Sequence, residues 1–225
     1  MDKNNKYTRM QESFYSTGTS NHAEHNDNKD YWDILLGGLN NLDLTNSVAL
    51  DFGCGKGRNI TNLINTTNFK RVDGVDVSQA NISHCNTILK DSKLYKNNGV
   101  DLSGIESDVY DFVMSTIVLQ HIPVYDIRFS ILKEIYRVMK AGGEFRFQMG
   151  YGDDLINPNG NNRIPYHDNH YDAKGTNGVL DVRITNVDDI KNDLEKIGFQ
   201  IKTIDIKESF SDKGHPKWIY ITCLK

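Results

Sequence analysis

Val48-Ala49-Leu50-Asp51-Phe52-Gly53-Cys54-Gly55-Lys56-Gly57-Arg58 decides how this chain is read. Three apolar residues end in an acid, glycines follow at alternate positions, and a helical pattern begins. The order is that of a buried strand, a tight turn and a helix N-terminus. Glycines at such a turn accept φ > 0 and let a ligand approach bare N–H groups. The bland alternative is a glycine-rich surface turn, but its place between strand and helix favours a nucleotide-sized site.

The dinucleotide fingerprint G-x-G-x-x-G fits poorly. Gly53 and Gly55 fill its first two positions, but Arg58 stands where a small residue must let helix and strand pack closely. Asp51 is badly placed to face a pyrophosphate and suits a ligand that carries positive charge. The phosphate-binding pattern G-x-x-x-x-G-K-[ST] is absent here.

Outward from the turn, strand and helix patterns alternate. Val72 to Ser78 reads as a second strand with Asp76 at its tip, about 20 residues past the glycines, where a carboxylate reaches ribose hydroxyls. A helix N-cap is the competing role there, and Ser78 fits it better. Leu94 to Leu102 carries a third strand and an Asn98-Gly99 pair, which in any protein also reads as a turn. Val109 to Ser115 is the fourth strand. Ile127 to Lys140 has helical apolar spacing, and Ala141-Gly142-Gly143 reads as its stop before a fifth strand at Glu144 to Met149. The alternation predicts a parallel sheet with right-handed crossovers and helices on both faces.

These residues resemble the class I S-adenosylmethionine-dependent methyltransferases, whose glycine motif runs apolar-apolar-apolar-Asp/Glu-x-Gly-x-Gly-x-Gly. The likeness is good over about residues 45–150, where Thr116-Ile-Val-Leu-Gln-His-Ile-Pro123 and Glu134-Ile-Tyr-Arg-Val-Met-Lys-Ala-Gly-Gly143 also match in order. It implies an α/β Rossmann-like seven-stranded mostly parallel sheet of order 3-2-1-4-5-7-6, closed by an antiparallel hairpin from about Phe199–Ile206 and Trp218–Leu224. It further implies S-adenosyl-L-methionine as cofactor. Gly53 and Gly55 then admit its methionine portion, and Asp51 acts near the ammonium, directly or through water and backbone amides. Asp76 meets the ribose, Val77 beside it is a further cofactor-binding candidate, Asn98 or Gly99 meets the adenine, and Ser115 ends a strand at the same crevice. Residues 1–45 are expected to form an N-terminal cap or lid and 46–225 the methyltransferase domain, with a substrate-side insertion at about 150–185. Tyr7, Met10 and Phe14 can share one helical face in the cap. Tyr15 closes over the cofactor or packs locally.

His121 is the candidate general base, because imidazole titrates near neutral pH; its competing role is to cap the loop after the fourth strand. Gln120, Gln148, Tyr166, His167, His170 and Tyr171 are the candidate acceptor-pocket residues. A loop as long as 150–185 is usually functional or disordered. His167 and His170, with Asp168 and Asp172 nearby, lack the three or four ligands of defined geometry that a metal needs, so no metal is expected. His22 and His25 are read as solvent-facing.

A chain of 225 residues can bury a single large core. A net charge of −4 with no basic tract argues against nucleic acid. No DNA-amino-methylation signature follows the fourth strand and no Pro-Cys pair is present. Three cysteines without metal spacing fit reduced thiols in the cytoplasm. No leader and no apolar run of about 18 residues is seen, so no membrane is expected. The leading expectation is methyl transfer to a small-molecule acceptor, such as a sugar or other biosynthetic intermediate. The alternatives are a non-catalytic cofactor-binding or scaffold protein, a protein methyltransferase, and a nicotinamide oxidoreductase.

Overall fold

In the computed structural model, residues 3–16, 29–156, 160–172, 174–175, 178–179, 181–209 and 214–225 are described. His22 and His25 lie outside them.

Seven strands form one sheet: β1 (Val48–Phe52), β2 (Arg71–Asp76), β3 (Leu94–Lys96), β4 (Tyr110–Ser115), β5 (Met139–Tyr151), β6 (Gln200–Glu208) and β7 (Lys217–Leu224). Their order is 3-2-1-4-5-7-6. β1 to β5 pair in parallel, and β7 runs antiparallel to both β5 and β6. The helices are α1 (Lys3–Ser16), α2 (Lys29–Leu36), α3 (Arg58–Thr66), α4 (Gln79–Ile88), α5 (Tyr125–Val138) and α6 (Val187–Ile197).

β1 is buried along its whole length because both sheet faces are covered. Val48, Leu50 and Phe52 join Ile131, Leu132, Ile135, Ile190 and Leu194 of α5 and α6 in one core. Ala49 joins Ile60 and Leu63 of α3 with Ile82 and Cys85 of α4 in the other. Burial of each such aliphatic side chain stabilises the fold by about 1.5–3 kcal/mol.

The helix stop read at Ala141-Gly142-Gly143 falls elsewhere. α5 ends at Val138 and β5 starts at Met139, so the glycines lie within the strand. Gly142 takes φ 77°, the β4–β5 register shifts between Tyr110 and Phe112, and the Gly142 N–H donates to the Lys225 carbonyl. A bulge, not a turn, uses the glycines' freedom.

The insertion between β5 and α6 is strapped to the sheet by short pairings, Ile164–Pro165 with Val182–Arg183 and Tyr151 with Ile184. Arg128 of α5, fully buried, donates to the carbonyls of Ile122 and Tyr166. One guanidinium thus joins the loop after β4 to the insertion.

Candidate functional site

A cavity of about 490 Å³ opens at the carboxyl ends of β1, β2 and β4. That is the expected ligand position on an open α/β sheet. Gly53, Gly55 and Gly57, all at positive φ, form its floor. Gly53 and Gly55 do different work. A Cβ built on Gly53 would lie 2.3 Å from a Val118 methyl, so Gly53 is there for packing. A Cβ on Gly55 would meet no atom within 4 Å, so Gly55 presents bare backbone to the cavity.

The Gly55 N–H donates to Asp76 Oδ2 at 2.9 Å. Asp76 Oδ1 accepts from the Ser78 N–H at 2.8 Å and from Asn81 at 3.3 Å, while the Ser78 hydroxyl caps α4. Burial pushes the Asp76 carboxyl up, against these donors. Asp76 and Val77 both line the cavity.

Asp51 does not. Strand alternation turns its side chain under α3, where Oδ1 accepts from Asn59 at 3.1 Å. Its Oδ2 is buried with no hydrogen-bond partner. Burial pushes this carboxyl up to about 7, against the Asn59 hydrogen bond and the Arg58 charge. Asn59 also donates to Thr116 at 2.9 Å, and both Asn59 and Thr116 line the cavity. The acid therefore stands one side chain behind the wall.

Of the two residues expected after the third strand, Gly99 lines the cavity and Asn98 does not. Asn98 is exposed and spends its amide on a local turn: its Oδ1 accepts from the N–H groups of Val100 and Asp101, and its Nδ2 donates to Asp101. Asn97, with a buried Oδ1 that lacks a partner, lines the cavity beside Gly99. After the fourth strand, Ser115 is wholly buried outside the lining, and Thr116, Ile117 and Val118 form the wall. Ile117 has φ 57°, which a β-branched residue rarely adopts and which costs on the order of 1–3 kcal/mol.

α1 covers the opening with Tyr7, Gln11 and Tyr15. Gln11 Nε2 donates to the His121 carbonyl at 3.1 Å, and the Ser16 and Ser78 hydroxyls meet at 3.1 Å. The Tyr15 ring lies 6.1 Å from the His121 ring, and burial holds its phenol well above the ordinary range.

His121 lines the cavity. Its Nδ1 lies 2.5 Å from Asp181 Oδ1, and Arg163 Nη1 donates to Asp181 Oδ2 at 2.9 Å. His215 Nε2 lies 3.6 Å from the same oxygen. Burial works against charge on Asp181, yet His121, His215 and Arg163 together hold it well below the usual carboxylate range. Neither Asp181 nor Arg163 is legible in the sequence as a site residue, because the contact with His121 spans 60 positions.

The six acceptor-pocket candidates all lie outside the cavity lining. Gln120 and Gln148 are 1 % exposed, and no partner meets Gln120 Oε1 or either amide atom of Gln148. Tyr166 is buried with its hydroxyl on Asp193, to which Tyr125 also donates. His167 pairs with Asp189 and His170 with Asp168. Tyr171 meets Tyr7 edge-on and has Lys3 over its ring. Packing of the insertion onto α5, α6 and α1 occupies Tyr166, His167 and Tyr171. Among the described residues, no three His, Cys, Asp or Glu side chains gather as a metal site, and no helix is long and apolar enough to cross a membrane.

Residues 50–147 match the protein family described as a methyltransferase domain. Arsenite methyltransferase of Mus musculus is 29% identical over 122 residues, which is 48% of this chain and 32% of that protein. The chain thus spans about a third of the length of this curated relative. Two solved structures share the fold. An S-adenosylmethionine-dependent methyltransferase from Clostridium acetobutylicum has a TM-score of 0.65 at 21% identity, covering 88% of this chain and 92% of that one. Another, from Mesorhizobium loti, has a TM-score of 0.63 at 17% identity, covering 89% and 100%.

Proposed function

We propose, for a chain that carries a class I S-adenosylmethionine-dependent methyltransferase domain, that it transfers a methyl group to a small-molecule acceptor bearing a proton that His121 removes. The observation that carries this reading is Gly55. It offers open backbone at the cavity floor, with its N–H already on Asp76.

The residues present fit the cofactor. Asp76 has used three acceptor positions, and a carboxylate has about four, so a ribose hydroxyl can be added. The buried, unpartnered Asn97 Oδ1 suits the adenine amino group better than Asn98 does. Asn59 and Thr116 on the cavity wall, backed by the Asp51 carboxyl, would hold the methionine end, and an ammonium there would favour the ionised form of Asp51. S-adenosylmethionine, when bound, supplies a methyl group already activated by its sulfonium.

The chain's own residues then align the acceptor and exclude water. Near-attack positioning is worth about 7–11 kcal/mol. Tyr7, Gln11 and Tyr15 on α1 close the opening. His121 takes the acceptor proton, a contribution of roughly 10²–10⁴ in rate. The arsenite acceptor of the murine relative is not carried over. Cys54 and Cys85 are buried in the α3–α4 core and Cys223 in the α5–α6 core, so the three thiols do not converge.

The test has two stages. Calorimetry should show S-adenosylhomocysteine binding and no NAD binding; the reverse overturns the proposal. Methyl-labelled cofactor is then offered with a panel of sugars, phenols, amines and peptides. Label on a small molecule supports the proposal. Label only on peptides assigns a protein acceptor, and binding without any transfer assigns a sensor or scaffold.

A further inference from the structure

We infer that Asp181, delivered by the insertion, is a positioning residue that holds His121 in the tautomer with its proton on Nδ1. This rests on the proposed reading of His121 as the proton acceptor. An ionised carboxylate only accepts hydrogen bonds, so an Nδ1 that lies 2.5 Å from Asp181 Oδ1 must be the protonated ring nitrogen. Nε2 is then the ring atom that can receive a proton from an acceptor. A partner on one imidazole nitrogen sets what the other can do.

The surroundings of Asp181 support a fixed charge there. Arg163 donates to Oδ2, and the guanidinium stays charged at any working pH. His215 approaches the same oxygen. Its Nδ1 accepts from Arg183 Nε at 3.3 Å, which leaves its own proton on Nε2, toward Asp181. Burial favours this neutral His215. The arrangement needs Gly150, since a Cβ there would lie 2.0 Å from His215 Nδ1. Arg183 is itself wholly buried and donates to the carbonyls of Asp154, Ile156 and Gly214. Donors from the insertion and from the segment before β7 thus converge on one carboxylate, whose other oxygen meets the imidazole at the cavity. A loop strap alone would be satisfied by Arg163.

The experiment is ¹⁵N NMR of the full chain with labelled histidine at pH 8, the His121 signals being assigned by their loss in His121→Gln. Wild type is expected to show the Nδ1–H tautomer. Asp181→Ala is expected to move the majority of His121 to Nε2–H, and Asp181→Glu to restore Nδ1–H in part. An Nε2–H tautomer in wild type overturns the inference, and this holds even if Asp181→Ala fails to fold. An unchanged tautomer in a folded Asp181→Ala also overturns it. S-adenosylhomocysteine titration of the same wild-type sample separates the two proposals: binding with the wrong tautomer refutes only the role of Asp181, whereas no binding refutes the proposed function.

Discussion

The glycine turn and the insertion are built in opposite ways. In the turn, Asp76 accepts from the Gly55 and Ser78 N–H groups within one strand–helix–strand unit, and Gly55 still faces open space. In the insertion, several polar side chains reach distant elements: Tyr166 reaches Asp193, Arg183 the Gly214 carbonyl before β7, and Asp181, itself held by Arg163, the His121 ring. The lesson is that a locally closed hydrogen-bond set leaves backbone for a ligand, while a long-range one makes a scaffold. Among the described residues of the insertion, Asp181 hydrogen-bonds a side chain lining the cavity, that of His121.

That contrast can be broken first at the glycines. Gly53→Ala is expected to cost about 3–5 kcal/mol of stability, from overpacking against Val118 and a side chain at positive φ. Gly55→Val is expected to fold, with a smaller strain, and to lose S-adenosylhomocysteine affinity by about 100-fold, or 2.7 kcal/mol. Denaturant melts and calorimetry on the pair check this. Equal behaviour of the two variants would erase the distinction between a packing and a ligand-facing glycine.

Asp51 comes next. Its carboxyl stands near 7 in the folded chain against 3.8 ordinarily, so its share of stability is complete below about pH 4 and is lost as pH rises through 7. Asp76 has the same sign, and Asp181, held low, has the opposite one. Asp51→Asn should therefore raise the melting temperature of the unliganded protein at pH 8 relative to wild type and narrow the gap at pH 5. The full effect has a ceiling on the order of 4 kcal/mol, of which the step from pH 5 to pH 8 samples about half. No change in the gap between the two pH values would mean that this acid is solvated.

A smaller effect sharpens the insertion side. Tyr166→Phe removes a buried hydrogen bond to a carboxylate and should cost about 1.5–3 kcal/mol, with S-adenosylhomocysteine affinity unchanged. Altered affinity would return Tyr166 to the ligand site. The smallest contrast is between neighbours. Asn97→Ala should weaken S-adenosylhomocysteine binding by about tenfold, or 1.4 kcal/mol. Asn98→Ala should leave binding alone and lower stability by under about 1 kcal/mol through loss of its turn.

The same division decides what the sequence could reveal. The sheet order, the glycine turn and Asp76 are legible because local spacing carries them. The end of β3 is less so, since a one-residue change in where the strand stops exchanges Asn97 for Asn98. The orientation of Asp51 is hidden because β1 is buried on both faces, so its sequence does not mark which face looks toward the ligand. Asp181 has no local signal at all; only the folding of the insertion onto the loop after β4 brings it to His121. The glycines at 142 and 143 look like a helix stop because the pairing that makes them a bulge is with Lys225, at the far end of the chain.

Ile117 sets a bound on how this protein can be improved. A branched side chain persists in a left-handed bend only where its surroundings over-determine the backbone. The bend aims Val118 at Gly53 and carries the chain on to His121. Glycine at 117 would relax it, so directed evolution for heat tolerance is expected to find that exchange early. The same exchange loosens the segment that presents the imidazole, and the thermostable winners should be the slower catalysts.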